Sequence, residues 1–345
     1  MIGGALTLYA WRAPRLKSQA GFELGARESF LLFNNILLVI AAATVFAGTM
    51  APLISDALGL GTLSVGAPYF NPTFMLSMLP LAALLAIGIS ANWKRGRLGE
   101  KKRMLLTTLA AAAIVACIVV FAIYSGGKVL TPVAATLGIW IILASLVDPI
   151  DRLRRKLSLS RSVLGMTVAH IGLGLFVLSL TTVESFTVEH DVSLAQGAST
   201  TVGAYQFRFD GVKHIEGPNY DGVGGTVVVT RHGSPLTVLY PEKRQYYVQH
   251  TTTTEAAIEM HYGSNLLVAL GEDLGAGKWS IRIQMRPLVN LVWLAAFIMA
   301  VGGGIALSDR RYRTAKTVED TATDAVPGSA NAVPGAAGAA GTRSR

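Results

Sequence analysis

One histidine is placed where it costs the most, which makes it the first candidate for chemistry. His170 lies inside an uninterrupted apolar run, residues 163–183. An imidazole held at hydrocarbon depth faces a bundle interior, a cavity or a bound group, because an unpartnered polar side chain there is expensive. The other five histidines, His190, His214, His232, His250 and His261, are spread through one polar stretch. They lack the i, i+4 spacing of a helical metal site, and no nucleophile-elbow or phosphate-loop glycine pattern accompanies them, so they read as solvated strand and turn residues.

On a helix, the face of His170 continues through Met166 and Thr167 one turn back and Leu173 and Gly174 one turn on. Gly174 leaves a hole beside the imidazole, and Ala169 and Gly172 keep the helix slim. Such a notch can admit a porphyrin face, with His170 as an axial iron ligand. The pattern equally allows His170 to donate a hydrogen bond to a neighbouring helix, with the glycines as ordinary packing residues. Cys117, the only cysteine, sits in an apolar span and reads as packing, with no disulfide or thiol redox chemistry.

The elements that must position His170 follow from hydropathy. Apolar residues make up 51% of the chain and charged residues 15%, a balance that indicates a membrane protein rather than an ordinary soluble domain. An α-helix needs about 20 apolar residues to cross the hydrocarbon core. Residues 29–54, 73–93, 104–124, 132–147, 163–183 and 287–307 qualify, the fourth only barely. Residues 1–11 are apolar but only about half a span, and read as the last turns of a helix, with a surface-lying helix as the alternative.

Lys and Arg collect in alternate loops. The first loop carries Arg12, Arg15, Lys17 and Arg27, whereas residues 55–72 carry none; the next carries Lys94, Arg95, Arg97, Lys101, Lys102 and Arg103, and the next again only Lys128. Arg152, Arg154, Arg155, Lys156 and Arg161 follow. Positive charge is retained on the cytoplasmic side, so residues 184–286 are expected outside, in the periplasm of a bacterium with two membranes. The tail, residues 308–345, returns to the cytoplasm at Arg310, Arg311 and Arg313. The basic excess, 30 Lys and Arg against 21 Asp and Glu, therefore reads as topology and not as a nucleic-acid surface.

Residues 184–286 alternate apolar and polar side chains over short stretches, as in Tyr205-Gln206-Phe207-Arg208-Phe209, with turns at Gly217-Pro218-Asn219 and Gly275-Ala276-Gly277. About seven strands in a small antiparallel barrel or sandwich are expected. The fold class is thus a polytopic α-helical membrane protein with one extracytoplasmic all-β domain. Residues 326–345, rich in Ala, Gly, Pro and Ser, cannot bury enough apolar surface to order themselves.

A set of short motifs carries a resemblance. Arg27-Glu28-Ser29 with Asn34-Asn35-Ile36-Leu37-Leu38, Gly59-Leu60-Gly61, and Ser64-Val65-Gly66-Ala67-Pro68-Tyr69-Phe70-Asn71 open it. Gly165-Met166 with Ala169-His170-Ile171-Gly172, Val188-Glu189-His190-Asp191-Val192, Gly217-Pro218-Asn219-Tyr220 and Pro241-Glu242-Lys243-Arg244 continue it. Thr254-Glu255-Ala256-Ala257-Ile258, Ala269-Leu270-Gly271-Glu272, Lys278-Trp279-Ser280-Ile281-Arg282 and Asp309-Arg310-Arg311-Tyr312 close it. In this order, and over nearly all of residues 1–313, the chain resembles the membrane part of the CcmF family of cytochrome c biogenesis proteins.

The resemblance implies a membrane subunit of the heme lyase that attaches heme to apocytochrome c outside the bacterial inner membrane. It implies a heme b in the membrane with His170 as one axial ligand of the iron, a second heme delivered by the chaperone CcmE as substrate, and CcmH and quinol as further partners. It assigns no catalytic residue. The family's tryptophan-rich segment, its external heme-ligating histidines and its other membrane histidine correspond to positions upstream of Met1. The expectation is one half of a split CcmF or a truncated product, inactive alone, with the second axial ligand on the N-terminal half. Ser264-Asn265-Leu266-Leu267 and Thr251-Thr252-Thr253 depart from family patterns that carry an Arg-Asp pair and a Met.

Further candidates carry two readings each. Tyr69 and Phe70 line the entrance to an external heme pocket or act as interfacial anchors; Lys243 and Arg244 steer heme propionates or a partner, or form a solvated strand end. Asn34 and Asn35 can bond a helix of the other half. Two other functions remain for the whole chain: a non-catalytic scaffold whose β-domain docks the apocytochrome and CcmH, and a heme or small-molecule permease. The permease lacks a second charged residue facing His170 at mid-depth.

Overall fold

The computed structural model describes residues 2–13, 26–91, 98–123, 128–248, 251–260 and 263–309. Expectations for the unordered tail, for His250 and His261, and for Lys94, Arg95 and Arg97 lie outside the described residues. Seven helices occur among those described: α1 Ile2–Arg12, α2 Arg27–Ala57, α3 Ala67–Gly88, α4 Leu98–Ile118, α5 Thr131–Arg154, α6 Arg161–Phe186 and α7 Asn290–Leu307. A π-helical turn, Val119–Ile123, continues α4. Six of them, α2 to α7, are long and apolar enough to cross a membrane.

Helix boundaries differ from the hydropathy reading by several residues in most spans, and two of these differences have a visible cause. Helix α3 begins at Ala67, six residues before the expected start, because Pro68 falls in the first turn, where its missing N–H has no helical partner to lose. Pro72 lies inside the helix, and the Thr73 hydroxyl donates to the Tyr69 carbonyl at 2.7 Å. Helix α5 runs to Arg154 because its charged end supports itself: Arg152 pairs with Asp148 at 2.8 Å and Arg155 with Asp151 at 3.0 Å, both one turn apart. The barely sufficient fourth span is therefore a full-length helix.

Helix α6 is the hub, and small residues set its two contacts. On one face, Gly165 and Gly172 meet α7: a methyl group on Gly172 would lie 2.8 Å from Met299 Cγ and 2.9 Å from the Ala295 carbonyl oxygen. Gly302 of α7 meets Ala169 and Gly165 in return. On another face, Gly174 meets Gly138 of α5, where a methyl on either would fall within 2.8–3.1 Å of the other's carbonyl oxygen. Backbones can approach this closely only without side chains between them, and close approach gives the dispersion contact that holds helices together in lipid. A second cluster, Ala82, Ala86, Ala112, Trp140 and Ile141, joins α3, α4 and α5, and the Trp140 indole donates to the Thr108 hydroxyl at 3.1 Å.

Ten strands follow α6: β1 Val188–Ala195, β2 Ser199–Val202, β3 Tyr205–Glu216, β4 Tyr220–Arg231, β5 Ser234–Leu239, β6 Glu242–Tyr246, β7 Thr252–Glu255, β8 Ala257–Met260, β9 Ser264–Asp273 and β10 Lys278–Pro287. One sheet runs β1-β10-β9-β8; the other runs β2-β3-β4-β6-β7, with β5 beside β4. All pairings are antiparallel. Phe207, Phe209, Val227 and Val229 from the second sheet pack against Leu266, Val268, Leu270, Ile281 and Ile283 from the first, so the architecture is the sandwich rather than the barrel. The strand count exceeds the expected seven because short edge strands such as β7, read as Thr-Thr-Thr-Glu, have no apolar alternation to mark them.

The sandwich is fastened to the bundle. Asn265 and Asn290 exchange two amide hydrogen bonds of 2.9 Å, joining β9 to the first residue of α7. The Ser179 hydroxyl of α6 donates to the Leu288 carbonyl at 2.8 Å, and Leu288 itself turns the chain with φ 54°.

Candidate functional site

Helix α6 places His170, and its start is well determined. The Ser160 hydroxyl accepts from Val163 N at 3.3 Å, and the Asp309 carboxylate, at the far end of α7, accepts from Ser162 N at 2.9 Å. Both satisfy amides that the first helical turn leaves without partners, and a carboxylate there also complements the helix dipole. Because Asp309 ties α7 to the start of α6, the rotation of α6 about its axis is fixed at its end as well as by the glycine contacts along it.

His170 is half-buried, and its Nδ1 lies 2.7 Å from the Met166 carbonyl oxygen, one turn earlier. A carbonyl oxygen can only accept, so Nδ1 carries the proton. Nε2 then bears the lone pair, directed away from the helix backbone. This is the arrangement in which a histidine serves as a metal ligand: one ring nitrogen is tied to a backbone carbonyl, which fixes tautomer and ring plane and raises the basicity of the other.

The notch expected beside His170 is not open. Gly174 faces Ile142 and Gly138 of α5, which fill the space that its missing side chain leaves. Gly172 and Ala169 face α7. These small residues are packing residues, set between α6 and its neighbours α5 and α7. Thr167, next to His170 in sequence, belongs to the α5 contact, with its hydroxyl donating to Val163 O at 2.9 Å and lying 3.5 Å from Ser145 O.

The other candidates are placed elsewhere and are engaged there. Tyr69 and Phe70 lie in the first turns of α3, in edge-to-face contact with ring centres 5.2 Å apart. Both rings press on Gly48 of α2, and the Tyr69 hydroxyl donates to the Thr44 carbonyl at 2.9 Å. They are part of the contact between α2 and α3, to which Phe30 against Gly88 also belongs. Lys243 pairs with Glu272 at 2.6 Å, while Arg244 pairs with Glu242 at 2.7 Å and stacks over Tyr220 at 4.6 Å. The Glu242 hydrogen bond and a further one to Tyr246 hold the Arg244 guanidinium well above the usual arginine range. Both cations are thus matched within the sandwich and are not brought to His170.

The polar histidines fit their bland reading where they are described. His214 is exposed, 3.2 Å from Asp221, and His232 takes a left-handed turn conformation. Among the described residues no group of three or more His, Cys, Asp or Glu is arranged to hold a metal ion. What sequence reasoning missed is the Met166 carbonyl as the partner of His170. The helical register makes it available, but the side-chain rotamer that uses it is set by packing.

Comparison with known proteins agrees with this architecture. Residues 185–287 match the family model described as the CcmF C-terminal beta-sandwich. The cytochrome c-type biogenesis protein CcmF of Pseudomonas aeruginosa is 41% identical over 322 residues, which cover 91% of this chain and 48% of that protein. CcmF of Escherichia coli is 36% identical over 326 residues, covering 94% and 50%, and CycK of Rhizobium meliloti is 40% identical over 323, covering 90% and 48%. A solved structure, cytochrome c heme lyase CcmF, superposes with a TM-score of 0.67 at 21% identity over 83% of this chain and 46% of that one, a likeness of fold. The chain spans about half the length of the curated relatives it matches. A multi-helix membrane bundle with an antiparallel sandwich set between its last two helices, matched in order by sequence to these proteins, makes the chain a homologue of CcmF over the region that includes the C-terminal β-sandwich.

Proposed function

We propose that the chain is a membrane subunit of a cytochrome c maturation heme lyase and that His170 is one axial ligand of a heme b held in its bundle. The observation that carries this is the 2.7 Å contact of Nδ1 with the Met166 carbonyl, which leaves Nε2 as a lone-pair donor on a half-buried residue of a membrane helix. An iron porphyrin fits that donor, since a neutral imidazole tied at its other nitrogen is a standard axial ligand. Heme bound there would supply one-electron transfer, with quinol as the electron donor. His170 would fix one side of the iron, the Met166 carbonyl would orient the ring, and the surrounding apolar side chains would exclude water and tune the potential. The second ligand comes from another segment, in keeping with the half-length match to the relatives.

In this proposal the β-sandwich lies on the periplasmic side, as the alternation of basic loops supports, where apocytochrome c, CcmH and heme-loaded CcmE meet the complex. The test is complementation. A bacterium lacking its own CcmF receives this chain together with the N-terminal half of a CcmF relative, and covalent heme on a reporter c-type cytochrome is measured by heme stain. Maturation with the native chain and its loss with His170→Ala is the expected result. Full maturation with His170→Ala in a membrane-inserted, equally abundant protein would overturn the ligand role.

A further inference from the structure

One long edge of the sandwich is open. Strand β7 lies at the end of one sheet and β8 at the end of the other. Ala256 alone joins them, so Thr252–Met260 is one continuous edge that passes between the sheets. Which backbone groups it presents follows from two bonds. The Tyr246 N–H donates to the Thr251 carbonyl at 3.1 Å, and bonded pairs in an antiparallel ladder recur at every second residue. Thr253 and Glu255 therefore turn their backbone groups to Arg244 and Glu242 of β6, and Thr252 and Thr254 turn theirs outward. The Leu288 N–H donates to the Gly263 carbonyl at 3.1 Å. By the same alternation Leu266 and Val268 of β9 face Glu259 and Ala257 of β8, and Ile258 and Met260 turn their backbone groups outward. Among the described residues, no other backbone group bonds to these four outward positions.

The other edges are guarded in ways this one is not. Strand β5 carries Pro235, and β2 is four residues long. The far half of β3 follows a register shift at Gly211 and carries Lys213, and β1 carries Glu189 and Asp191. Such features keep further strands from adding. Thr252–Met260 has no proline, lysine or arginine, and no register shift interrupts its pairing. Its carboxylates, Glu255 and Glu259, sit at positions paired with β6 and β9. Ile258 and Met260 are exposed, and methionine adapts to varied partners. A row of alternating donors and acceptors matches an extended polypeptide, not a lipid or a small molecule. We propose that Thr252–Met260 is a docking edge for an extended segment of another polypeptide. The segment adds as a further strand, bonds to the backbones of Thr252, Thr254, Ile258 and Met260, and sets apolar side chains against Ile258 and Met260. Under the function proposed above that polypeptide is the apocytochrome; this name rests on that reading, whereas the form of the site rests on strand geometry alone.

The full chain, purified in detergent, is followed by hydrogen exchange with mass spectrometry, alone and with two synthetic peptides. One spans the heme-attachment site of an apocytochrome c with its cysteines replaced by serine; the other alternates valine and threonine between lysine ends. Saturable binding that protects amides within residues 252–260 is expected for both. Thr254→Pro removes an outward N–H that no strand of the sandwich uses, and should weaken binding about tenfold through one lost hydrogen bond and a ring in the way. Ile258→Lys with Met260→Lys, at exposed positions, should weaken it likewise. No protection by either peptide, or unchanged binding to Thr254→Pro, would overturn the site. Protection by the valine–threonine peptide alone would uphold the edge and count against the apocytochrome as its occupant. Protection that rises with protein concentration and needs no peptide would assign the edge to a second copy of this chain and overturn the proposal. One reading needs no peptide at all: Thr253→Pro, whose N–H faces β6, should lower the melting temperature of the sandwich clearly more than Thr254→Pro. Equal losses would contradict the edge geometry.

Discussion

The Nδ1 nitrogen of His170 and the carbonyl oxygen of Met166 stand 2.7 Å apart, one helical turn from each other. The contact fixes which imidazole nitrogen is protonated and leaves the other with its lone pair, the atom that would bind iron in the proposed role. Because the acceptor belongs to the backbone, the Met166 side chain is not needed for it. Met166→Leu, a swap of similar volume, is therefore expected to keep the heme content and the absorbance maxima of the native protein, measured by pyridine hemochrome assay and visible spectrum. A lost heme signal with the helix intact would mean that the side chain itself carries the site.

The α6–α7 contact predicts a sharp difference between neighbouring glycines. Gly172→Val would drive a side chain into Met299 and the Ala295 carbonyl, a form of overpacking that costs about 1–3 kcal/mol. Gly303 has open space around its missing side chain, so Gly303→Ala should be neutral or slightly stabilising. Thermal unfolding in detergent checks both, and equal Tm values for the two variants would contradict the packing described.

The fastening of sandwich to bundle rests in part on two amides. Asn265 is buried, so Asn290→Ala would leave its amide without the partner it now has and cost about 1–3 kcal/mol. Removing both, Asn265→Ala with Asn290→Ala, should cost less than the sum of the single changes. Denaturant melts of the four proteins give this coupling, and strict additivity would show that the pair contributes nothing.

Acid should loosen the sandwich in a defined direction. Arg282 donates two hydrogen bonds to Asp191 across β10 and β1, at 2.8 and 3.0 Å, and holds its carboxyl below the usual range. Arg208 does the same to Asp210. A carboxylate with a lowered folded-state pKa contributes stability above its unfolded pKa, and the contribution is lost as pH falls through the folded value. The pairs are exposed, so the effect is modest. Asp191→Asn should melt slightly below the native protein at neutral pH and converge with it below about pH 3–4, as followed by the strand signal in circular dichroism. Convergence as the pH is raised instead would reverse the sign and refute the pairing.

Much of the fold was legible because one physical quantity, apolar length, decides where a chain can cross lipid. All six expected spans correspond to helices. Their ends were less legible, since the α5 end depends on Asp–Arg pairs and the α3 start on where Pro68 falls in the first turn. The sandwich core followed from alternation in β3 and β4, but polar edge strands carry no such pattern. At the candidate site, His170 stood out by cost alone. The surroundings did not, because a glycine reveals that something comes close without naming it: Gly174 admits Ile142, not a cofactor.

The claim that matters most is that His170 ligates heme iron, and a visible absorbance spectrum tests it most directly. The chain is co-expressed with the N-terminal half of a CcmF relative, the complex is purified in detergent, and oxidised and dithionite-reduced spectra are recorded for the native protein, for His170→Ala, and for His170→Gly with and without added imidazole. The account predicts a Soret band and sharp reduced bands in the native complex, their loss in His170→Ala, and their partial return when imidazole is given to His170→Gly. Native spectra from an intact His170→Ala complex would contradict it.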